Sequence, residues 1–410
     1  MIRTADVVVI GAGIIGTSIG YQLAARGVDV VVLDKGDGPA EGSTGASSSI
    51  CRCRYTYPEV VRLAFHGQEA FGNWQEFTGL RETRSSLHRV GVLWMMGESE
   101  EKVRTDTAKL VSQGVDAETL DARAVAELFP SLNTCAAPFD WSGEIEHVCA
   151  PGEAYLFEPR GGYADPVSAN QDLIEAISAR GSTAEFRSRV VGLTTAAGRI
   201  TGVEMADGTS ISANLVVNAA GPWCNALNEM AGAEIKWNMT PTRIQTVYRE
   251  WPDDLGSLPV GADATGIYFR PESGGQQILV GSTSAEDEGE LVDDPDNFKQ
   301  FPDAEFTQMK LAAFHHRVPE MEARGTPSGI AGLYMVNRED SHPIVGPTGV
   351  DGFWVANGFS GHGFKLAPSV GSMIAQAYAG VTTDFDTDVP MEFFSVDRDP
   401  IELDVKSVLA

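Results

Sequence analysis

The chain has 410 residues, 43% hydrophobic and 21% charged, with a formal net charge of −27. That length can bury a large core and suits two intertwined domains, while the acidic balance argues against a nucleic-acid or anionic-membrane partner. No apolar run is long enough to span a bilayer and residues 1–20 lack the form of a secretory signal, so a cytoplasmic protein with no membrane span is expected.

The chain opens on a strand, a glycine turn, a helix and a second strand. Val7-Val8-Val9-Ile10 is a short unbroken apolar run, the pattern of a strand buried on both faces. Gly11-Ala12-Gly13-Ile14-Ile15-Gly16 follows with the G-x-G-x-x-G spacing. Its first Gly permits the tight turn, its second lets a pyrophosphate approach the backbone, and its third lets helix and strand pack closely. A helix from about Ile14 to Arg26 aims its free N–H groups at the phosphates, and Gly27 ends it. Val28–Leu33 forms the next strand and finishes on Asp34-Lys35, where an acid can bind ribose hydroxyls and disfavours a 2′-phosphate. FAD and NAD both remain open at this point.

Gly42 to Ser49 is small, polar and hydroxylated, and its Ser43 and Thr44 suit packing against a cofactor. Arg52 and Arg54 alternate in the extended stretch that follows, so they share a face. Helical periodicity runs from Pro58 to Phe77, with a strand at Val90–Met96 and helices near Ser99–Ser112 and Asp121–Phe129. The turn at Arg160–Pro166 leads into a helix ending at Arg180. A hairpin from Arg189 through Ala197-Gly198 precedes the strand Leu215–Asn218, which runs into Ala219-Ala220-Gly221-Pro222-Trp223. Strands are expected at Arg243–Arg249, Ile267–Arg270 and Gln277–Val280, then at Phe353–Ala356. A second glycine-rich turn, Gly358 to Lys365, opens a helix from about Leu366 to Tyr378. The five cysteines, at 51, 53, 135, 149 and 224, cannot all pair and show no zinc spacing, so no metal site is expected.

With both glycine turns placed, the chain resembles the D-amino-acid oxidase family of flavoproteins, and within it the sarcosine oxidase and dimethylglycine dehydrogenase branch. The likeness covers nearly the whole chain in order. It rests on Gly11–Gly16, Asp34, Ser43-Thr44-Gly45, Val217–Trp223, Asp340-Ser341-His342-Pro343-Ile344-Val345-Gly346 and, most specifically, Gly358–Lys365. The resemblance implies an α/β fold of mixed α+β character, a Rossmann-like FAD-binding domain with an interleaved substrate domain on a mixed β-sheet. The expected division is 1–80, 150–225 and 326–385 for the FAD-binding domain, 81–149 and 226–325 for the substrate domain, and 386–410 for a C-terminal tail.

The resemblance further implies that Gly11, Gly13, Ile14, Ile15 and Gly16 hold the FAD pyrophosphate, that Asp34 and Lys35 lie at the adenosine ribose, and that Val190 meets the adenine through its backbone. Ser43, Thr44, Ala219, Ala220, Gly221 and Trp223 line the rest of the cofactor, with Gly361, His362, Gly363, Phe364 and Lys365 beside the isoalloxazine. Arg52 and Lys365 grip a substrate carboxylate, and Tyr334 falls on the substrate side.

Three departures stand out. The Ala331–Tyr334 segment has no Cys and Ser43-Thr44-Gly45 no His for covalent attachment, so dissociable FAD is expected. Gln277–Val280 lacks the Lys that activates oxygen in monomeric sarcosine oxidases, which leaves O2 and an electron-transfer protein or quinone both open as acceptor. The implied reaction is oxidation of the C–N bond of a small N-methylated amino acid to an imine that hydrolyses. The alternatives are a primary amino-acid oxidase of the glycine or D-amino-acid type and a non-catalytic flavin subunit of an electron-transfer assembly.

Overall fold

The computed structural model describes residues 3–140, 144, 146–322 and 325–403. The last seven positions of the expected C-terminal tail, 404–410, lie outside the described residues.

β1 (Arg3–Ile10), α1 (Ile14–Ala25) and β2 (Val30–Leu33) form the opening unit as expected. β1 is buried on both faces, with Val7 and Val9 in one core and Val8 and Ile10 in another, which explains its unbroken apolar run. A two-residue strand β3 (Ile50–Cys51) leads to α2 (Pro58–Gly72) and α3 (Trp74–Thr78), which split the expected single helix at Asn73. Next come β4 (Val92–Met95), α4 (Glu100–Ser112), β5 (Glu118–Leu120), α5 (Ala122–Leu128), β6 (Tyr155–Glu158) and β7 (Gly162–Tyr163). Ser99 and Asp121 cap α4 and α5 by accepting from Lys102 N–H and Ala124 N–H.

The chain then forms α6 (Pro166–Ser178), β8 (Thr183–Glu185), the hairpin of β9 (Val190–Ala196) and β10 (Arg199–Met205), β11 (Ser210–Asn218) and α7 (Cys224–Met230). β12 (Met239–Glu250), β13 (Val260–Asp263), β14 (Ile267–Glu272), β15 (Gln277–Ser282), α8 (Ala304–Arg317) and β16 (Ser328–Asn337) build the second half. β17 (Ile344–Pro347), β18 (Phe353–Asn357) and α9 (Gly363–Ala379) complete it.

Two eight-stranded sheets organise these elements, and β3 pairs antiparallel with β7 in a separate two-stranded sheet. The first runs β17-β18-β11-β1-β2-β8, parallel from β18 to β8, with the β9–β10 hairpin branching antiparallel from β11. The second runs β16-β12-β15-β14-β13-β4-β6-β5 and is antiparallel except where β13 meets β4. This is the mixed α/β architecture expected. β6 and β16 are hydrogen-bonded into the second sheet, so the change from one sheet to the other falls beyond residues 158 and 337 rather than at 150 and 326.

α8 has no counterpart among the predicted elements, and its buried face shows why. Lys310 and Arg317 lie there with Phe306, Ala313 and Phe314, paired to Asp287 at 2.7 Å and to Asp263 at 2.8 Å. Two buried cations break the apolar stripe that marks an amphipathic helix. α9 starts three residues before its expected start. It packs along α1, where a Cβ on Gly371 would lie 2.6 Å from the Ser18 carbonyl oxygen, and crosses α2, where a Cβ on Gly67 would lie 2.0 Å from that of Lys365.

Candidate active site

The opening glycine turn is built as a cradle. Gly11 has φ +108°, and a Cβ there would lie 2.4 Å from the Ala219 carbonyl oxygen. A Cβ on Gly16 would lie 1.8 Å from the Gly11 oxygen. Side chains at either position would push the loop off the end of β1. Asp34 braces the turn, accepting Ala12 N–H at 2.7 Å and Gly36 N–H at 2.7 Å. The Thr44 hydroxyl accepts Ile14 N–H at 2.9 Å, tying the 43–46 loop to the first turn of α1. Ser43 donates to the Leu333 carbonyl at 2.6 Å, which joins that loop to β16, the strand of Tyr334. Ala219 donates to the Ile10 carbonyl at 2.9 Å, so the Ala219–Trp223 segment leaves β11 beside the same turn. Lys35 pairs with Asp296 and stands 4.0 Å over the Trp223 ring, whose Nε1 donates to Asp296 at 3.0 Å. Val190 is the half-buried first residue of β9.

The second glycine turn arrives next to the first. A Cβ on Gly363 would lie 3.7 Å from Ile15 Cδ1. α9 begins there with no side-chain cap on its first N–H groups, and Phe364 stacks on Phe71 of α2 at 4.8 Å. Ser360 within this turn and Ser341 in the loop before β17 hold φ of +46° and +58°, backbone strain of the kind that gathers at binding sites. The strain is held by a buried network. Ser360 Oγ accepts Asn337 N–H at 2.9 Å, and Asn337 Nδ2 donates to the His342 carbonyl at 2.8 Å.

Below the second turn the side chains expected to act on substrate come together. Arg52 and Lys365 are both buried, and Lys365 lies in the first turn of α9. The Arg52 guanidinium lies 4.1 Å over the Tyr55 ring and 5.2 Å from that of Trp94. Burial, then the charge of Arg52, pulls the Lys365 ammonium down to about 7. The Tyr55 hydroxyl contacts His362 Nδ1 at 3.1 Å, while His362 Nε2 is buried without a hydrogen-bond partner. Burial, then Lys365 and Arg52, holds His362 well below its ordinary value, so its ring is neutral. Tyr334 is half-buried, and burial drives its hydroxyl well above the usual range against the opposing charge of Arg52. Tyr268 reaches about 12 by burial, and its ring covers Gly281 on the neighbouring strand. Arg54 is occupied elsewhere, with Glu98 at 2.6 Å and Asp106 at 2.8 Å. Burial pushes the Cys51 thiol up to about 12 and Cys53 further, which leaves both inert.

Glu158 was not singled out by the sequence reading. Its fully buried carboxylate accepts Cys53 N–H at 2.6 Å and Trp94 Nε1–H at 2.9 Å. Burial raises its pKa, and these hydrogen bonds and the Arg52 charge oppose the rise. It holds the Arg52 segment in place from β6. A lone acid closing the apolar run Tyr155-Leu156-Phe157 was the signal available.

The residues present fit an FAD. The φ-constrained glycines at Gly11 and the close approach at Gly16 leave the space a pyrophosphate needs at the start of α1. Uncapped N–H groups at the start of α9 and the unpartnered His362 Nε2 stand where the second turn meets the first. Among the described residues, no helix is long and apolar enough to cross a membrane.

The family profile described as DAO, FAD dependent oxidoreductase, matches residues 6–377. FAD-dependent oxidoreductase domain-containing protein 1 of Xenopus laevis is 27% identical over 409 residues, covering 91% of this chain and 78% of that protein. Peroxisomal sarcosine oxidase of Mus musculus is 27% identical over 402 residues, covering 93% and 94%. The crystal structure of L-proline dehydrogenase from P. horikoshii superposes with a TM-score of 0.80 at 25% identity, covering 97% of this chain and 98% of that one.

Proposed function

The chain belongs to the DAO family of FAD-dependent oxidoreductases, and from that premise we propose that it oxidises the C–N bond of a small N-methylated amino acid, of the sarcosine or dimethylglycine kind. The observation that carries the reading is the pair of buried cations, Arg52 and Lys365, near enough that the charge of Arg52 lowers Lys365, with the Tyr55 and Trp94 rings against the Arg52 guanidinium. Glu158 balances part of that charge, but its oxygens are already taken by Cys53, Arg54 and Trp94. A substrate carboxylate is the group that two buried cations so placed would bind. The similarity to a sarcosine oxidase and to an L-proline dehydrogenase supports an amino acid whose nitrogen carries an alkyl substituent.

In this reading Gly11, Gly13, Gly16 and the first N–H groups of α1 hold the pyrophosphate, Asp34 the ribose, and Val190 the adenine. Ile14, Ile15, Lys35, Ser43, Thr44, Ala219, Ala220, Gly221 and Trp223 line the cofactor between them. Gly361, His362, Gly363, Phe364 and Lys365 lie along the flavin ring. When bound, FAD supplies the hydride acceptor, and no covalent link is made because no Cys or His stands at the attachment positions. Arg52 and Lys365 fix the carboxylate, and Tyr334 and Trp94 limit the space for a side chain, so that orientation supplies much of the rate. Two cations beside the substrate nitrogen favour loss of its ammonium proton, which hydride release requires. The imine hydrolyses in water.

Products test the substrate class. With sarcosine and an artificial acceptor, glycine and formaldehyde should form in equal amounts. Turnover of glycine to glyoxylate and ammonia, with no formaldehyde from N-methyl substrates, would assign a primary amino acid instead. The acceptor is read from the same assay. β15 carries no Lys, so turnover should be faster with an artificial acceptor than with O2.

A further inference from the structure

Cys135, His147 and His316 each offer one ligand atom, and these atoms lie within 4.8 Å of one another, in a cluster where the segment before β6 meets the end of α8. We propose that these three residues bind a transition-metal ion of the zinc class, which clips Cys135 and His147 to the end of α8 independently of the flavin chemistry.

The geometry is that of a site needing little closure. Cys135 Sγ and His147 Nε2 are 3.5 Å apart. Tetrahedral zinc with its ordinary Zn–S and Zn–N lengths places sulfur and nitrogen ligands about 3.5 Å from each other. His147 Nδ1 donates to the Pro138 carbonyl at 2.9 Å. A carbonyl only accepts, so the proton sits on Nδ1 and the Nε2 lone pair faces Cys135. A backbone acceptor on the far ring nitrogen is the usual support of a metal-bound histidine. His316 Nε2 is buried with no hydrogen-bond partner, an expensive state for a ring nitrogen without an ion. Its ring is fixed by stacking on Phe139 at 4.6 Å and by the edge of His147 at 4.6 Å.

Asn133 organises the backbone behind the ligands. Its side-chain oxygen accepts Cys135 N–H at 3.0 Å and the Cys149 thiol at 3.5 Å, and its Nδ2 donates to the His316 carbonyl at 3.1 Å. Arg317 donates to the Cys135 carbonyl at 2.9 Å. Both segments are therefore held in register before any ion arrives. Binding exchanges the thiol proton for the metal and involves no change of oxidation state. The sequence spacing hides this set because its third ligand comes from a distant helix.

The test is metal content. The flavin-loaded protein is incubated with excess zinc, desalted, and assayed for zinc and flavin together. Stoichiometric zinc is expected in the wild type, with loss of zinc and unchanged flavin in Cys135→Ser and His147→Ala. Should Cys135→Ser fail to fold, His147→Ala decides alone, since His147 is not in the core. Cobalt in place of zinc should add a thiolate-to-metal charge-transfer band in the difference spectrum. Zinc well below stoichiometric in the wild type, zinc retained in His147→Ala, or a Cys135–Cys149 disulfide in the purified protein would overturn the proposal.

Discussion

Arg52 and Lys365 differ in what they contribute, and pH separates them. Lys365 is brought to about 7 by its burial and by the charge of Arg52. Its ammonium is fully present below that value and is lost as pH rises through it. Affinity for an unreactive carboxylate such as propionate, read from perturbation of the flavin spectrum, should be flat at acid pH. Above about pH 7 it should fall, and the fall should vanish in Lys365→Met. Stability moves the opposite way. The unfolded Lys keeps its proton to higher pH, so the cost of the buried ammonium is complete below pH 7 and relieved above it. Lys365→Met should therefore stabilise the apoprotein more at acid than at alkaline pH, as measured by thermal melting. Arg52→Ala removes charge-assisted contacts worth roughly 1.5–3 kcal/mol, so kcat/KM should drop about 10–100-fold for a carboxylate substrate. An unchanged value would remove Arg52 from the clamp. Both residues were legible because a matched motif carries each of them. Glu158 and Trp94 were not, since their roles come from burial against a neighbouring strand that linear order does not show.

At the scale of elements, helix contacts set the position of Lys365. α2 passes so close to the start of α9 that only Gly fits at position 67. Gly67→Ala should force the helices apart, costing about 1–3 kcal/mol of stability and weakening substrate binding more than flavin binding. Chemical denaturation and flavin-perturbation titration would show this. Flavin loss without any change in substrate affinity would contradict it. The glycine turns, α1 and the β9–β10 hairpin were legible because turn chemistry and buried apolar runs are local signals. α8 was not, because its buried Lys310 and Arg317 read as solvent-facing until their partners Asp287 and Asp263 are in view. β16 was missed as a strand of the second sheet for a related reason. Its long pairing with β12 bridges residues far apart in sequence.

For the whole molecule, the site lies where two sheets and both glycine turns converge, and the tail locks that convergence. Arg398 pairs with the fully buried Asp340, which also accepts His342 N–H at 3.0 Å and Ile401 N–H at 2.9 Å. Arg398→Ala leaves a buried carboxylate without its counter-charge, so a loss of about 3–5 kcal/mol is expected, together with easier release of FAD from the adjoining turn. Denaturation monitored by flavin fluorescence would measure both. The mixed α/β architecture was legible from the order of motifs along the chain, while the exact sharing of strands between sheets depended on long-range pairing.

The visible spectrum of the FAD-loaded protein, kept anaerobic, before and after addition of sarcosine or dimethylglycine, tests the proposed reaction most directly. The flavin bands should bleach with these substrates and persist in Arg52→Ala at the same concentration. Bands unchanged by N-methyl amino acids but bleached by primary ones would contradict the substrate class, and a chain that takes up no FAD would contradict the reading of both glycine turns.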